Sequence, residues 1–394
     1  MASADTAVAT RTGRPLATPG IRGQEGVAFP PSFYTSQAVY EIEKQHIFRK
    51  EWLYACRARS IPNVGDYVAI TLADEPIIVV RDTDGDISAF SAVCRHRAMV
   101  IAEDGPGHCD RVFTCPYHGW TYDLAGELRS APRMGGKSFD RSDIAMPKFS
   151  AEVWHGFVFI NLDRHAPSLA DSLSHVEGYV ENYQLEELVA REGWRTDTLE
   201  VNWKTLTENN SECYHCEHLH SESHQCAPTR NVIPNTSFVD GSSPVVVTRV
   251  RTIHQDAFFS PDWKPYFPIL SSLSDEDRNH FTWIEILPGF MLSLYHDQAG
   301  YWSTLPTGPT SVEIRQGRLY PEETTLREDF ADVVELIRQQ TTQLWEEDRF
   351  ATASVQKGRS SHFATQGPYA ELDEGVLAFN RWLVRHYDDA GLLA

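Results

Sequence analysis

Hydrophobic and polar positions follow two different periods along this 394-residue chain. In residues 35–55, "TSQAVYEIEKQHIFRKEWLYA", Val39, Ile42, Ile47 and Trp52 recur at helical spacing. From residue 66 the period shortens to two: "DYVAITL", "PIIVVRD" and "ISAFSAV" read as strands. "TDGD" supplies the hairpin turn between the second and third. "TYDLAGEL" and "GFVFINLD" continue the rhythm, so a small antiparallel β domain is expected over 55–165. Beyond it, residues 168–190 read as helical and "WRTDTLEVNW" as a strand, followed by a polar, His-rich helix from about 203. Strands are predicted at 243–254, 280–296 and 310–320, and amphipathic helices at 325–357 and 373–387. The fold class expected is therefore α+β: an all-β domain first, then a domain over 166–394 with an antiparallel sheet covered by helices, of helix-grip type. The leading helix, 31–54, is expected to pack on that second domain.

Composition narrows the picture. Residues 1–30 are rich in Ala, Thr, Gly and Arg and read as a flexible arm, with a transit peptide as the minor alternative. A formal charge of −20 argues against nucleic-acid binding and suits an enzyme that meets a partner with a basic face. Without an apolar run of ~20 residues, no membrane association is expected. Six of the seven cysteines fall in the windows 94–115 and 213–226, which reads as reduced thiols with site chemistry, and hence a cytoplasmic protein.

The first window, "CRHRAMVIAEDGPGHCDRVFTCPYHGW", holds Cys94-x-His96 and Cys115-x-x-His118. Two thiolates and two imidazoles fit a structural zinc or a Rieske [2Fe–2S] centre. Each short loop offers one Cys and one His, so each can straddle a two-iron cluster; a zinc finger more often pairs like with like. Gly119 permits a tight turn, Pro116 stiffens the loop, and Tyr117 and Trp120 can shield a cluster from water. Cys109 reads as a loop or packing thiol.

The second window, "NWKTLTENNSECYHCEHLH", is too polar for an ordinary core helix. On a helix Glu208, Glu212 and His215 would share one face. His215 and His220 lie five apart, about 140° around an ideal helix. They can share a metal only if the helix ends or loosens near residues 216–219. One carboxylate added to them makes a facial triad of the kind used by non-haem Fe(II) oxygenases. "QLWEEDRFATASVQKG" offers Glu346, Glu347 and Asp348. Cys213 and Cys216 read as packed thiols ahead of zinc donors, since no second pair follows at zinc-ribbon spacing. His218 and His224 read as surface or supporting residues. Glu208 is either a partner that fixes a histidine tautomer or a buried, hydrogen-bonded acid.

C-x-H-R and C-P-Y-H-G-W followed by E-x-x-H-x-x-x-x-H resembles the α subunit of Rieske non-haem iron oxygenases over nearly the whole chain. The resemblance implies a Rieske domain followed by a catalytic domain, a [2Fe–2S] cluster on Cys94, His96, Cys115 and His118, and mononuclear Fe(II) on His215, His220 and Asp348, with Glu347 the other candidate acid. O2 is the implied co-substrate. Asn209 would sit near the iron, and Glu212 would bridge electrons between subunits of a homotrimer, or of a hexamer built from it. Many ring-hydroxylating members carry Asp at that bridging position. No nucleotide fingerprint or ferredoxin-type cysteine run is present, so a separate reductase of flavin and iron–sulfur type is expected to deliver electrons from NAD(P)H.

"ENNSECYHC" and "EED…VQKG" lean toward the subgroup that oxidises N-methyl groups of glycine betaine, carnitine or stachydrine. A quaternary ammonium favours aromatic faces. Residues 258–302 supply Phe258, Phe259, Trp263, Tyr266, Phe267, Phe281, Trp283, Tyr295, Tyr301 and Trp302, which equally suit a sheet core. The alternatives are hydroxylation or O-demethylation of an aromatic acid and, more distantly, a non-catalytic Rieske carrier or sensor. Whether turnover is mono- or dioxygenation stays open at this level.

Overall fold

A computed structural model describes residues 27–134, 139–190, 195–221, 223–233 and 241–392. Two compact units are formed: Phe48–Ser174, and a larger one that joins the segment ending at Ile47 to the segment from His175 onward. The expected boundaries at 55 and 165 fall inside the smaller unit. The arm expected over 1–30 lies outside the described residues as far as 26. From there the chain is packed: Val27 bridges Pro368, and Phe29 stacks on Phe33 at 5.2 Å.

In the smaller unit a seven-stranded antiparallel sheet has the order β1-β10-β9-β4-β3-β2-β5. These strands are β1 (Leu53–Arg57), β2 (Asp66–Leu72), β3 (Glu75–Arg81), β4 (Ile87–Ser91), β5 (Gly105–His108), β9 (Lys148–Trp154) and β10 (Phe157–Asn161). Beside it lies the small sheet β6 (Val112–Thr114), β7 (Thr121–Asp123) and β8 (Leu128–Ser130). The helix predicted over 35–55 is shorter. Helix α1 (Gln37–Glu43) is capped by the Ser36 hydroxyl and runs through a wide turn to Phe48. "LYACR" then forms β1, buried at every position. A short apolar run buried on both faces suits a strand, and helical spacing of Trp52 misled.

The larger unit has a second seven-stranded antiparallel sheet, ordered β11-β17-β16-β15-β14-β13-β12. The strands are β11 (Arg195–Leu199), β12 (Val232–Ile233), β13 (Val245–Arg251), β14 (His280–Ile286), β15 (Phe290–Leu294), β16 (Ala299–Gly308) and β17 (Ser311–Leu319). The stretch 280–296 is two strands, broken by Pro288 and Gly289, and β16 was not anticipated. Residues 168–190 hold only short helices, Leu169–Leu173 and Glu177–Val180 among them. Helix α2 (Trp203–Asn210) packs against α3 (Phe330–Arg359) and α4 (Glu374–Asp389). No described helix is long and apolar enough to cross a membrane.

A buried ion pair ties α1 to α2. Lys204 Nζ lies 2.5 Å from Glu43 Oε1, and neither side chain is exposed. Trp203 Nε1–H and the Tyr387 hydroxyl donate to the same carboxylate at 2.9 and 2.5 Å. The charge is thus compensated by three donors, the condition under which a buried ion is tolerated.

Candidate active site

Two loops of the smaller unit share one construction. In the first, Cys94 N–H donates to the Met99 carbonyl and Ala98 N–H returns to the Cys94 carbonyl; in the second, Cys115 N–H donates to Trp120 and Gly119 N–H to Cys115. Ala98 (φ 56°) and Gly119 (φ 72°) occupy the left-handed region that closes each turn. Both cysteines are 2% exposed within one apolar cluster that also contains Trp120 and Tyr122. The His96 and His118 rings meet edge-on at 4.6 Å, and His96 stacks on Trp120 at 4.9 Å. The Tyr122 hydroxyl accepts from Arg95 N–H at 2.9 Å and touches Cys94 Sγ at 3.3 Å. Buried soft donors with imidazoles beside them suit a two-iron cluster. Tyr117 is more than half exposed, whereas Trp120 is buried against the His96 ring. Cys109 is buried in the same apolar cluster.

In the larger unit α2 stops at Asn210, where Asn209, Asn210 and Ser211 are poor helix formers. Glu212 and His215 therefore sit on the following loop, not on the helix as expected. A separate turn, Cys216–Leu219, has His215 and His220 at its two ends. This brings their rings to 5.1 Å, nearly perpendicular. Asp348 on α3 presents Oδ1 to both: 3.1 Å from His220 Nε2 and 3.6 Å from His215 Nε2. Asn209 Nδ2–H reaches the same oxygen at 3.4 Å.

The outer nitrogens are held by acids. Glu347 Oε2 lies 2.7 Å from His220 Nδ1, and Glu212 Oε1 lies 2.5 Å from His215 Nδ1. Carboxylates on these nitrogens fix the ring orientation and leave both Nε2 atoms facing Asp348. Burial opposes charging of His220, but Asp348 and Glu347 outweigh it and push its pKa up to about 8. Burial opposes His215 likewise, and Glu212 and Asp348 raise it. The surroundings thus favour a cation between the rings. His215, His220 and Asp348 offer donor atoms within 4.8 Å of one another, one imidazole pair and one carboxylate. That donor set fits a divalent iron with open positions.

Glu208 is occupied elsewhere: it pairs with Arg359 at 2.5 Å and with the Tyr34 hydroxyl, so it is the buried, hydrogen-bonded acid of the two alternatives. His218 is exposed, whereas His224 is nearly buried and stacks on His220 at 6.2 Å. Cys213 and Cys216 are buried beside it with Sγ atoms 2.6 Å apart. Beneath the loop, Glu285 on β14 is fully enclosed; burial pushes its carboxyl up to about 8 despite hydrogen bonds from Ser211 and Thr207.

The three donors open onto a cavity of about 350 Å³. Of the expected aromatic residues Phe259, Trp283, Tyr295, Tyr301 and Trp302 line it, joined by Trp345 of α3, which lay outside the window considered. Phe258, Trp263, Tyr266, Phe267 and Phe281 do not line it; Phe258 and Phe281 are core residues, packed edge-on at 6.0 Å.

Both halves of the chain match known protein families. The Rieske [2Fe-2S] domain family matches residues 51–149, and the ring-hydroxylating alpha subunit (catalytic domain) family matches residues 185–389. The glycine betaine monooxygenase oxygenase subunit of Pseudomonas aeruginosa is 36% identical over 196 residues, 50% of this chain and 45% of that protein. The carnitine monooxygenase oxygenase subunit of Escherichia coli K12 is 36% identical over 203 residues, 50% of this chain and 53% of that one. The aligned part of the chain thus spans about half the length of these relatives. A crystal structure of the quaternary ammonium Rieske monooxygenase CntA superposes with a TM-score of 0.77 at 25% identity, covering 93% of this chain and 98% of that chain. The naphthalene 1,2-dioxygenase from Rhodococcus sp. shares the fold, with a TM-score of 0.74 at 20% identity over 95% and 96% of the two chains. These matches imply a Rieske cluster, a mononuclear iron and O2 as the cofactor set. The chain belongs to the ring-hydroxylating α-subunit family, with a Rieske [2Fe–2S] domain ahead of its catalytic domain.

Proposed function

We propose that this chain is a terminal oxygenase component that hydroxylates an N-methyl group of a small quaternary ammonium compound. The balance is one O2, two electrons and two protons consumed per methyl group, giving a carbinolamine and water. The carbinolamine then breaks its C–N bond, releasing formaldehyde, a proton and the tertiary amine. Electrons come from a separate reductase of flavin and iron–sulfur type, fed by NAD(P)H.

The observation that carries this reading is the convergence of His215, His220 and Asp348 on an aromatic-walled cavity of about 350 Å³. In this reading those three residues hold the iron, and Cys94, His96, Cys115 and His118 hold the cluster. When bound, the cluster supplies single electrons and the iron activates O2. Glu347 and Glu212 orient the two imidazoles, and Asn209 steadies the Asp348 carboxylate. The faces of Trp283, Tyr295 and Trp302 suit a quaternary ammonium, which offers no N–H and is recognised by aromatic rings. The names of the glycine betaine and carnitine relatives support the same substrate class.

In the assembled protein, a homotrimer, Glu212 links His215 to the partner subunit's His118. A carboxylate can accept an N–H from each imidazole, and charge makes both bonds short. Head-to-tail contacts of this kind close into rings.

The test is an oxygen-uptake screen of the reduced protein with glycine betaine, carnitine and a set of aromatic acids, with formaldehyde assayed. Formaldehyde formed in proportion to oxygen with a betaine is expected. Oxygen uptake driven by aromatic acids alone sinks the proposal in favour of ring hydroxylation or O-demethylation. A protein that holds cluster iron and no further iron would be a carrier or sensor.

A further inference from the structure

We propose that Cys213, Cys216 and His224 form a soft-metal site in the wall of the same cavity, separate from the iron donors and suited to zinc. Three observations carry it. The two thiols and one ring nitrogen of His224 lie within 4.8 Å of one another, and all three residues line the cavity. The His224 tautomer is set: its Nδ1–H donates to the Ala227 carbonyl at 2.7 Å. Its Nε2 lone pair therefore faces Cys213 Sγ, at 3.7 Å. A histidine with one nitrogen anchored on a carbonyl and the other turned toward thiols has the arrangement of a metal ligand. Finally, the iron-binding reading uses none of these three side chains; both thiols are buried and His224 is nearly so.

Two thiolates and an imidazole select zinc over the hard cations that prefer oxygen. Three protein donors leave a fourth position, which here opens to the cavity, as in zinc sites that take an exogenous ligand. Binding displaces the two thiol protons to solvent, and no electron moves. The sulfurs must part from 2.6 Å as the metal enters, since bonds of ~2.3 Å to one tetrahedral ion hold them farther apart. Cys216 Sγ is also 3.8 Å from His215 Nε2, so a zinc ion here would crowd the space beside the iron. Zinc is therefore expected to inhibit turnover without expelling iron.

The test uses the iron-loaded holoprotein dialysed against zinc with thiols kept reduced. The expected result is one extra equivalent of zinc, unchanged iron, and two thiols protected from a thiol reagent. Zinc affinity should fall at least about tenfold in the Cys213→Ser/Cys216→Ser double variant and in His224→Gln. Cobalt(II) in place of zinc should give a thiolate charge-transfer band that these variants lose. His220→Ala, which removes an iron donor, should keep the zinc. Zinc gained only as iron is lost, protection of no thiols, or equal uptake by the cysteine variants would each overturn the proposal. A cooperative urea transition of wild-type midpoint reports that the larger unit of each variant has folded.

Discussion

Glu212 Oε1 stands 2.5 Å from His215 Nδ1, so the acid read as an electron bridge is already bonded to a candidate iron ligand. The loop is bent tightly around this carboxylate, whose other oxygen accepts the backbone N–H groups of Tyr214 and His215. Glu212→Gln keeps the shape but removes the charge. In protein reloaded with iron to the wild-type content, it should slow product formation at least about tenfold, a barrier increase of about 1.4 kcal/mol. Metal analysis beside single-turnover kinetics checks this. Turnover at the wild-type rate would remove Glu212 from the electron route.

The two acids on α3 should separate cleanly. Asp348→Ala removes the oxygen that faces both Nε2 atoms, and the variant should retain cluster iron alone. Glu347→Gln leaves the donor set intact but weakens the hold on His220 Nδ1, so iron affinity should fall roughly 10- to 100-fold. Competition with a chelator measures both. Equal iron loss in the two variants would mean that Glu347 is itself a ligand.

Glu285 predicts a pH dependence of stability. Its carboxyl is pushed up to about 8 by burial, against an ordinary value of 4.5. The folded state therefore binds more protons than the unfolded state between those values. Stability from this group is full below about pH 4.5 and falls as pH rises towards 8, by up to about 1.4 kcal/mol per pH unit. Glu285→Gln, whose amide oxygen can still accept from the Ser211 hydroxyl, removes that slope. The variant should match the wild type near pH 5 and exceed it by about 1–3 kcal/mol near pH 8 in urea titrations. Parallel curves across this range would show that Glu285 is ionised when folded.

Lys204→Met strands the Glu43 carboxylate inside the larger unit. The loss should be about 3–5 kcal/mol, and a second change, Glu43→Gln, should restore most of it. Chemical denaturation of the single and double variants gives the coupling. A single variant within about 1 kcal/mol of wild type would mean that Trp203 and Tyr387 suffice to hold the charge.

Much of the donor chemistry was legible because it is local. Cysteine and histidine within three residues of one another, on loops between alternating strands, declare a site before any fold is known. Other features depend on neighbours distant in sequence. Glu347 reads as a rival of Asp348, and only its contact with His220 gives it a different role. Glu285 stands within a predicted strand where nothing local marks its carboxyl as enclosed; Thr207 of α2 and Ser211 of the loop after it supply that contact. Strand β16, "AGYWSTLPTG", carries a proline and an irregularity at Pro306/Gly308 that blur its alternation. The helix predicted past residue 210 fails because Asn and Ser compete for backbone hydrogen bonds.

Glu347 and Asp348 are consecutive residues of α3, yet they grip opposite nitrogens of one imidazole. The helix thus works as a two-pronged fork around His220. Sliding it along its axis, or rotating it, disturbs both prongs at once, so the histidine is either clamped on both sides or released on both. A mutation far along the 30-residue helix could in this way switch the whole grip, without touching any residue at the site.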